Sequence, residues 1–178
     1  SVYVYMEKII CSPLYKLDQS YYKELKKFLL ELGQRLDWNE GKNQIMIQTL
    51  DPVNEDWVTG YGRVTDLAVS KEVEYKYIQP SLKGTIVEDF LNACPLTVTR
   101  TRLMKVDPRK CYSIHRDKTS RLHLALDTNP SAIFMFPELS KFVHIPEDQN
   151  VYFVDTREQH SFANCGEQER VHLVMCVN

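Results

Sequence analysis

The residues best suited to chemistry are histidines and carboxylates in the second half of the sequence. His115 is followed two residues later by Asp117, and His160 comes four predicted strands further on. In extended backbone, residues i and i+2 project from the same face, so the first pair could reach one ion. Two imidazoles and one carboxylate suit non-haem Fe(II), which keeps positions open for a cosubstrate and O2. The sequence predicts a metal site at these three residues; the alternative is a polar strand end with a solvated Asp117.

An arginine follows the distal histidine. His160 and Arg170 lie symmetrically about Cys165, within the turn-forming run 164–166. If that run closes a hairpin, the two side chains face each other across adjacent strands. Because a guanidinium can hold a carboxylate through two parallel hydrogen bonds, Arg170 predicts an anion beside the metal. The alternative is an exposed strand arginine.

Two helices are predicted in the first half of the chain. Apolar residues recur at three- and four-residue steps over 18–36, with Asp18 or Ser20 as the N-cap, which indicates an amphipathic helix. A second helix is predicted for 85–94, because a Thr-x-x-Glu capping box opens it and a proline follows it. Residues 39–70 mix turn formers with short apolar runs and are interpreted as strands and loops.

The second half of the chain changes to short branched or aromatic runs separated by turn formers. This spacing is typical of a sandwich or barrel, and helices followed by strands indicate an α+β, mainly β domain. We expect one domain over 1–178, with helices and supporting strands in 1–95 and a β core carrying the metal site in 96–178. The predicted strands are 96–106, 121–127, 132–136, 141–145, 151–155 and 170–177.

Composition excludes several classes of protein. The 178 residues carry 22 Lys and Arg against 24 Asp and Glu, a net charge of −2, which argues against nucleic-acid binding. No apolar run approaches the roughly 20 residues of a bilayer span, so no membrane is expected. Five cysteines, an odd number without C-x-x-C spacing, favour a reducing compartment, and we expect a cytoplasmic protein.

Several stretches of the second half together resemble a known family. The sequence is similar to the Fe(II)/2-oxoglutarate-dependent oxygenases, and within them to the aspartyl/asparaginyl β-hydroxylase branch. The resemblance covers roughly 96–177 and implies a double-stranded β-helix (jelly-roll, cupin-like) core with buttressing N-terminal helices. The matching stretches are RTRLM at 100–104, YSIHRD at 112–117, RLHLAL at 121–126, VDTREQH at 154–160 and RVHLV at 170–174.

The resemblance also implies roles for individual residues. The three predicted ligands would bind Fe(II), and Arg170 would pair with the far carboxylate of 2-oxoglutarate. Arg121 and His123 would help to hold the carboxylate beside the keto group. Animal members of the branch replace the triad carboxylate by glycine, whereas this chain keeps Asp117, like the general oxygenases and related free-amino-acid hydroxylases.

Three functions are compatible with these residues. The first is a dioxygenase that uses Fe(II), 2-oxoglutarate and O2 to hydroxylate a C–H of an amino acid or peptide side chain, releasing succinate and CO2. The others are a metal-dependent cupin-like isomerase or different oxygenase, and a non-catalytic binding module. The first function is favoured by Arg170 together with Arg121 and His123, because an isomerase does not need separate binding residues for the two carboxylates of a dicarboxylate. No substrate-binding residue is predicted; His172 is either a pocket residue or a packed core histidine.

Overall fold

The computed structural model describes residues 8–62 and 71–178, which form mainly antiparallel β-strands. The helices are α1 (Gln19–Arg35), α2 (Trp38–Gly41, one turn with left-handed backbone angles) and α3 (Ile86–Ala93). The strands are β1 (Cys11–Lys16), β2 (Gln44–Met46), β3 (Gln48–Thr49), β4 (Tyr77–Ile78), β5 (Val98–Val106), β6 (Lys110–Cys111), β7 (Arg121–Asp127), β8 (Ala132–Phe136), β9 (Lys141–Val143), β10 (Asn150–Val154), β11 (Ser161–Asn164) and β12 (Arg170–Val177). Single 3-10 turns occur at Glu72–Glu74, Pro80–Leu82 and Pro137–Leu139.

Two sheets build the core. The large sheet has the order β1-β10-β7-β12-β5-β2, the small sheet has the order β6-β11-β8-β9, and β3 pairs with β4. The chain from β5 to β12 passes back and forth between the large and the small sheet. This is the topology of a double-stranded β-helix, or jelly roll, so the expected mainly β fold class is confirmed.

The central strands of the large sheet are buried on both faces, and the two faces differ. On β7, Leu122 and Leu124 join an apolar cluster with Leu29 of α1, whereas Arg121 and His123 point to the other side. The alternation follows from the two-residue period of a strand. One face of the sheet therefore packs against the helices, as expected, and the other lines the interior between the sheets.

The helix starts agree with the capping patterns. Asp18 caps α1 by accepting hydrogen bonds from the backbone of Ser20 and Tyr21, and Thr85 caps α3. The capping box of α3 differs from the expected one in a single contact: Glu88 accepts a hydrogen bond from the N–H of Gly84, at 3.2 Å, and not from the N–H of Thr85. The N–H of Thr85 is already bonded to Leu82 O, so the glutamate takes the preceding N–H. Within the described ranges, no helix is long and apolar enough to cross a bilayer.

The hairpin expected at 164–166 is wrong. β11 pairs with β6 and β8 of the small sheet, whereas β12 pairs with β5 and β7 of the large sheet. The turn is built as the sequence indicates, with Asn164 Oδ1 accepting from Gly166 N at 3.1 Å, but it carries the chain from one sheet to the other. Arg170 lies opposite Val106 in the sheet, and it approaches His160 across the interior of the jelly roll instead of along a ladder.

Candidate metal centre and its cavity

The three predicted metal ligands meet at one end of the jelly roll. His115 and His160 exchange two backbone hydrogen bonds of 2.9 Å, which place their side chains together. Asp117 N donates to Thr156 O, and this bond brings the carboxylate against both rings. The Nε2 atoms of His115 and His160 lie 3.7 and 3.8 Å from the Asp117 oxygens. One ligand atom from each residue falls within 4.8 Å of the others.

Both imidazoles are held with a lone pair facing the carboxylate. Nδ1 of His115 donates to Ser113 O at 2.6 Å, and Nδ1 of His160 donates to Glu158 O at 2.8 Å. Because a carbonyl can only accept, each Nδ1 carries the hydrogen when the ring is neutral, and Nε2 is left free to bind a cation. Burial lowers the pKa of His160, which favours the neutral ring that a metal requires.

The donor set matches the metal that the sequence predicts. Two imidazole nitrogens and one carboxylate oxygen on one side of an ion leave positions open for exogenous ligands, as in non-haem Fe(II) sites. His160 is buried, while His115 and Asp117 are partly exposed. The centre therefore has a closed side formed by protein and an open side that faces a cavity.

That cavity extends from the triad into the interior, with a volume of about 800 Å³. This is the size of a pocket for a small molecule. Its lining combines the aromatic rings of Phe134 and Phe162 with the guanidiniums of Arg102, Arg121 and Arg170. A cavity whose wall carries several cationic side chains, these guanidiniums among them, is suited to an anion.

Arg170 is the cation most available to such an anion. It is 2% exposed, and its Cζ lies 3.8 Å from the centre of the Phe162 ring. Burial lowers the pKa of Arg170 to about 10, so it stays charged at neutral pH. Its Nε and Nη1 are buried with no hydrogen-bond partner among the residues that the structure describes. Because unpaired buried donors are costly, these atoms fit a carboxylate ligand.

Arg121 also lines the cavity, but its donors are already engaged. Nη2 lies 2.6 Å from Glu72 Oε1 and 3.4 Å from Asp117 Oδ1. Nη1 donates to the backbone and hydroxyl oxygens of Thr119 at 2.9 and 2.7 Å. The structure thus brings Arg121 to the predicted place next to the triad, where it ties the ligand Asp117 to Glu72. Its contact with a cosubstrate stays a prediction.

His123 lies deeper and forms a pair with a second histidine. Its Nδ1 is 3.1 Å from Nδ1 of His172, and both side chains are buried. Burial lowers the pKa of each ring well below its ordinary value, and the nearby Arg170 lowers it further. His123 lines the cavity, whereas His172 lies behind it and is a packed core histidine.

Two further residues, Glu72 and Arg102, belong to the site but are not among the predicted metal or cosubstrate residues. Glu72 lies in a loop far from the motifs, and nothing in the sequence marks it as the partner of Arg121. Arg102 is 6% exposed, donates from Nη1 to Gln44 Oε1 at 3.2 Å, and has a buried Nε without a partner in the described ranges. A signal existed here, since Arg102 lies in the matching stretch RTRLM, directly before the apolar residues Leu103 and Met104 of β5.

Comparison with known proteins agrees with this geometry. A family model described as aspartyl/asparaginyl beta-hydroxylase matches residues 80–178, more than half of the chain and all of β5 to β12. The chain therefore belongs to the aspartyl/asparaginyl β-hydroxylase family and is an enzyme of the 2-oxoglutarate-dependent hydroxylase class, as the resemblance predicted. No curated protein sequence matches the chain.

The chain is also similar to solved structures, at low sequence identity. AviO1 from Streptomyces viridochromogenes Tue57 is 16% identical with a TM-score of 0.52, over 92% of this chain and 85% of that one. A prolyl-4-hydroxylase of Pseudomonas putida is 15% identical (TM-score 0.48; 95% and 87% covered). The viral collagen prolyl hydroxylase of Paramecium Bursaria Chlorella virus-1, in its 2OG complex, is 13% identical (TM-score 0.47; 95% and 97% covered).

Proposed function

We propose that this protein is an Fe(II)- and 2-oxoglutarate-dependent dioxygenase that hydroxylates a C–H of an amino acid or peptide side chain. One observation carries the proposal: the triad lines the same cavity as Arg170, whose buried Nε and Nη1 have no hydrogen-bond partner among the described residues. A metal site alone fits any cupin-like protein, whereas a buried cation with free donors beside it calls for an anionic cosubstrate.

The residues of the site would have different roles, which follow from their positions. His115, Asp117 and His160 would hold Fe(II), and the bound metal supplies oxidation of a C–H bond coupled to decarboxylation of 2-oxoglutarate by O2. Arg170 would bind the far carboxylate of the cosubstrate in a two-pronged contact, and its position on β12 fixes which way the molecule lies.

The cavity walls supply the surroundings that such a reaction needs. Phe134 and Phe162 are buried and line the cavity with their rings. These apolar rings would keep water away from the bound cosubstrate. Arg121 holds Asp117 through Nη2, so the carboxylate stays turned toward the two rings.

The location inside the cell is part of the same proposal. All five cysteines are free thiols, two of them exposed, as expected for a protein kept in a reducing environment. We infer a cytoplasmic enzyme whose substrate is a small molecule or a peptide.

Anaerobic spectroscopy tests the proposed function. Addition of Fe(II) and 2-oxoglutarate to the purified protein should give a visible metal-to-ligand charge-transfer band, and admission of O2 should release succinate slowly even without substrate. His160→Ala should abolish both signals. Metal binding without the band or succinate would refute the proposal and favour a cupin-like isomerase or a binding module on the same scaffold.

A further inference from the structure

The contact between His123 and His172 defines a hydrogen bond with only two possible arrangements. The two Nδ1 atoms are 3.1 Å apart, and the rings are nearly perpendicular, at 77°. Two nitrogens share a hydrogen bond only when one of them carries the hydrogen and the other offers a lone pair. Both rings are fully buried near Arg170, and burial keeps each neutral by lowering its pKa, so each ring has one N–H.

The two arrangements differ in whether Nε2 of His172 carries a hydrogen. Nε2 of His172 is buried and has no hydrogen-bond partner in residues 8–62 and 71–178. If Nδ1 of His123 donates, Nε2 of His172 carries an N–H that is buried, unpaired and close to the cationic Arg170. If Nδ1 of His172 donates, Nε2 of His172 has only an unused lone pair. Orphaned buried N–H donors are rarer than under-used acceptors, so the second arrangement is favoured.

The favoured arrangement sets the chemistry of His123 toward the cavity. With Nδ1 of His123 accepting from His172, its single hydrogen lies on Nε2, the remaining polar atom of a ring that lines the cavity. A neutral imidazole there becomes a donor, which matches an anion shared with Arg170. The opposite tautomer would turn a lone pair toward that anion and repel it.

We propose that His172 is a positioning residue that fixes His123 as an Nε2–H donor toward the anion in the cavity. The inference rests on the proposed function for the identity of that anion, 2-oxoglutarate, with His123 facing the carboxylate beside the keto group and Arg170 facing the far one. In this proposal, His172 would contact neither the metal nor the cosubstrate and would act only through the ring of His123.

The tautomers can be read without any activity. In apo protein with 15N-labelled histidine, long-range 1H–15N correlations distinguish protonated from unprotonated ring nitrogens. We expect His123 to carry its hydrogen on Nε2 and His172 on Nδ1. In His172→Phe, which keeps an aromatic ring but removes the donor, His123 should lose this fixed tautomer. His144→Phe is the matched control, because His144 is a half-buried histidine that donates to Ala132 O instead.

Binding provides the second measurement. Titration of 2-oxoglutarate into Zn(II)-loaded protein should show a Kd roughly 10- to 100-fold higher for His172→Phe, as for loss of one hydrogen bond to a charged group. His172→Asn, whose amide nitrogen can occupy the position of Nδ1, should rescue the affinity. In turnover, the KM for 2-oxoglutarate should rise with little change in kcat, which a general loss of folding would not produce.

The outcomes separate the inference from the proposed function. A hydrogen on Nδ1 of His123, or an unchanged Kd in His172→Phe, overturns the role of His172 even when 2-oxoglutarate binds well. Wild-type protein with the expected tautomers that fails to bind 2-oxoglutarate supports the positioning of the donor and refutes the proposed function.

Discussion

Nη2 of Arg121 lies 2.6 Å from Oε1 of Glu72, and this ion pair ties the 3-10 turn Glu72–Glu74 to β7 beside the candidate metal centre. Glu72 also accepts from Arg100 at 3.2 Å and from the Thr119 hydroxyl at 2.9 Å. Burial alone would raise the pKa of Glu72, but its partners, Arg121 foremost, lower the pKa overall. One carboxylate is therefore the ion-pair partner of two buried guanidiniums.

Replacing Glu72 should destabilise the protein. Glu72→Gln leaves Arg100 buried without this counterion and leaves Arg121 with only the longer contact to Asp117, so we expect the free energy of unfolding in urea at pH 7 to fall by about 3 kcal/mol. Glu31→Gln, at an exposed position of α1, is the control and should change stability little. Equal stability of the Glu72 variant and the wild type would show that the ion pairs contribute nothing net.

Arg170 should determine the choice of cosubstrate. Arg170→Ala removes the two-pronged contact with the far carboxylate, so the Kd of 2-oxoglutarate in calorimetric titration should rise roughly 100-fold. Binding of 2-oxobutanoate, which lacks that carboxylate, should hardly change, and the variant should lose discrimination between the two acids. Arg35→Ala, an exposed arginine at the end of α1, serves as control. Retained discrimination in Arg170→Ala would assign the carboxylate to another residue.

The metal site should depend on each member of the triad. His160→Ala removes the most buried ligand, and we expect Co(II) affinity, followed by its visible absorption, to fall roughly 100-fold or more. Asp117→Ala should also weaken binding, because the carboxylate supplies the only negative charge of the donor set. His144→Ala removes a histidine outside the triad and should bind Co(II) like the wild type. An unchanged titration for Asp117→Ala would leave a site of two histidines.

Asp155 should make the protein sensitive to acid. It belongs to the turn 155–158, whose carbonyls accept from Asp117 N and from His160 Nδ1. The Asp155 carboxylate accepts from Arg157 Nε at 2.8 Å. The hydrogen bond from Arg157, together with the nearby ammonium of Lys8, lowers the pKa of Asp155 from 3.8 to about 2, despite its burial.

Because the folded pKa lies below the unfolded one, the contribution of Asp155 is complete above pH 3.8 and is lost as pH falls toward 2. Asp155→Asn should lower the free energy of unfolding at pH 7 by about 1 kcal/mol, a small value because Arg157 is exposed and its charge is screened. Urea unfolding across this pH range is the measurement. The difference from wild type should vanish near pH 2; a constant difference would show that the charge is not involved.

The pair His115 and Asp117 and the helices were predictable because their signals are local, whereas His160 could be assigned only through the resemblance to a known family. The separation of His115 and Asp117 by one residue places both side chains on one side, and the caps of α1 and α3 are written into a few adjacent residues. The hairpin was mispredicted for a related reason. Asn164 and Gly166 specify a tight turn, but the same turn serves a hairpin or a passage between sheets, and only the pairing partners of β11 and β12 decide which.

Glu72 and His172 were unpredictable as site residues because their roles depend on tertiary contacts. Glu72 meets Arg121 across 49 positions of sequence, through a loop with no periodic pattern. His172 shows its role only once the distance to His123 is known. A polar residue in a buried strand signals that a partner exists, but the sequence does not say which one.

Along β7 and β12, side chains that face the helices alternate with side chains that face the cavity. Selection for stability and selection for function therefore act on neighbouring residues of the same strand. Leu122, Leu124 and Leu173 pack against the helices, whereas Arg121 and His123 line the cavity. Mutational tolerance should therefore differ between neighbouring residues: changes at Leu122 or Leu124 should reduce the yield of folded protein, and a change at His123 should lower the activity of a well-expressed protein. Evolution could in this way redirect the chemistry of the pocket without rebuilding the scaffold that carries it.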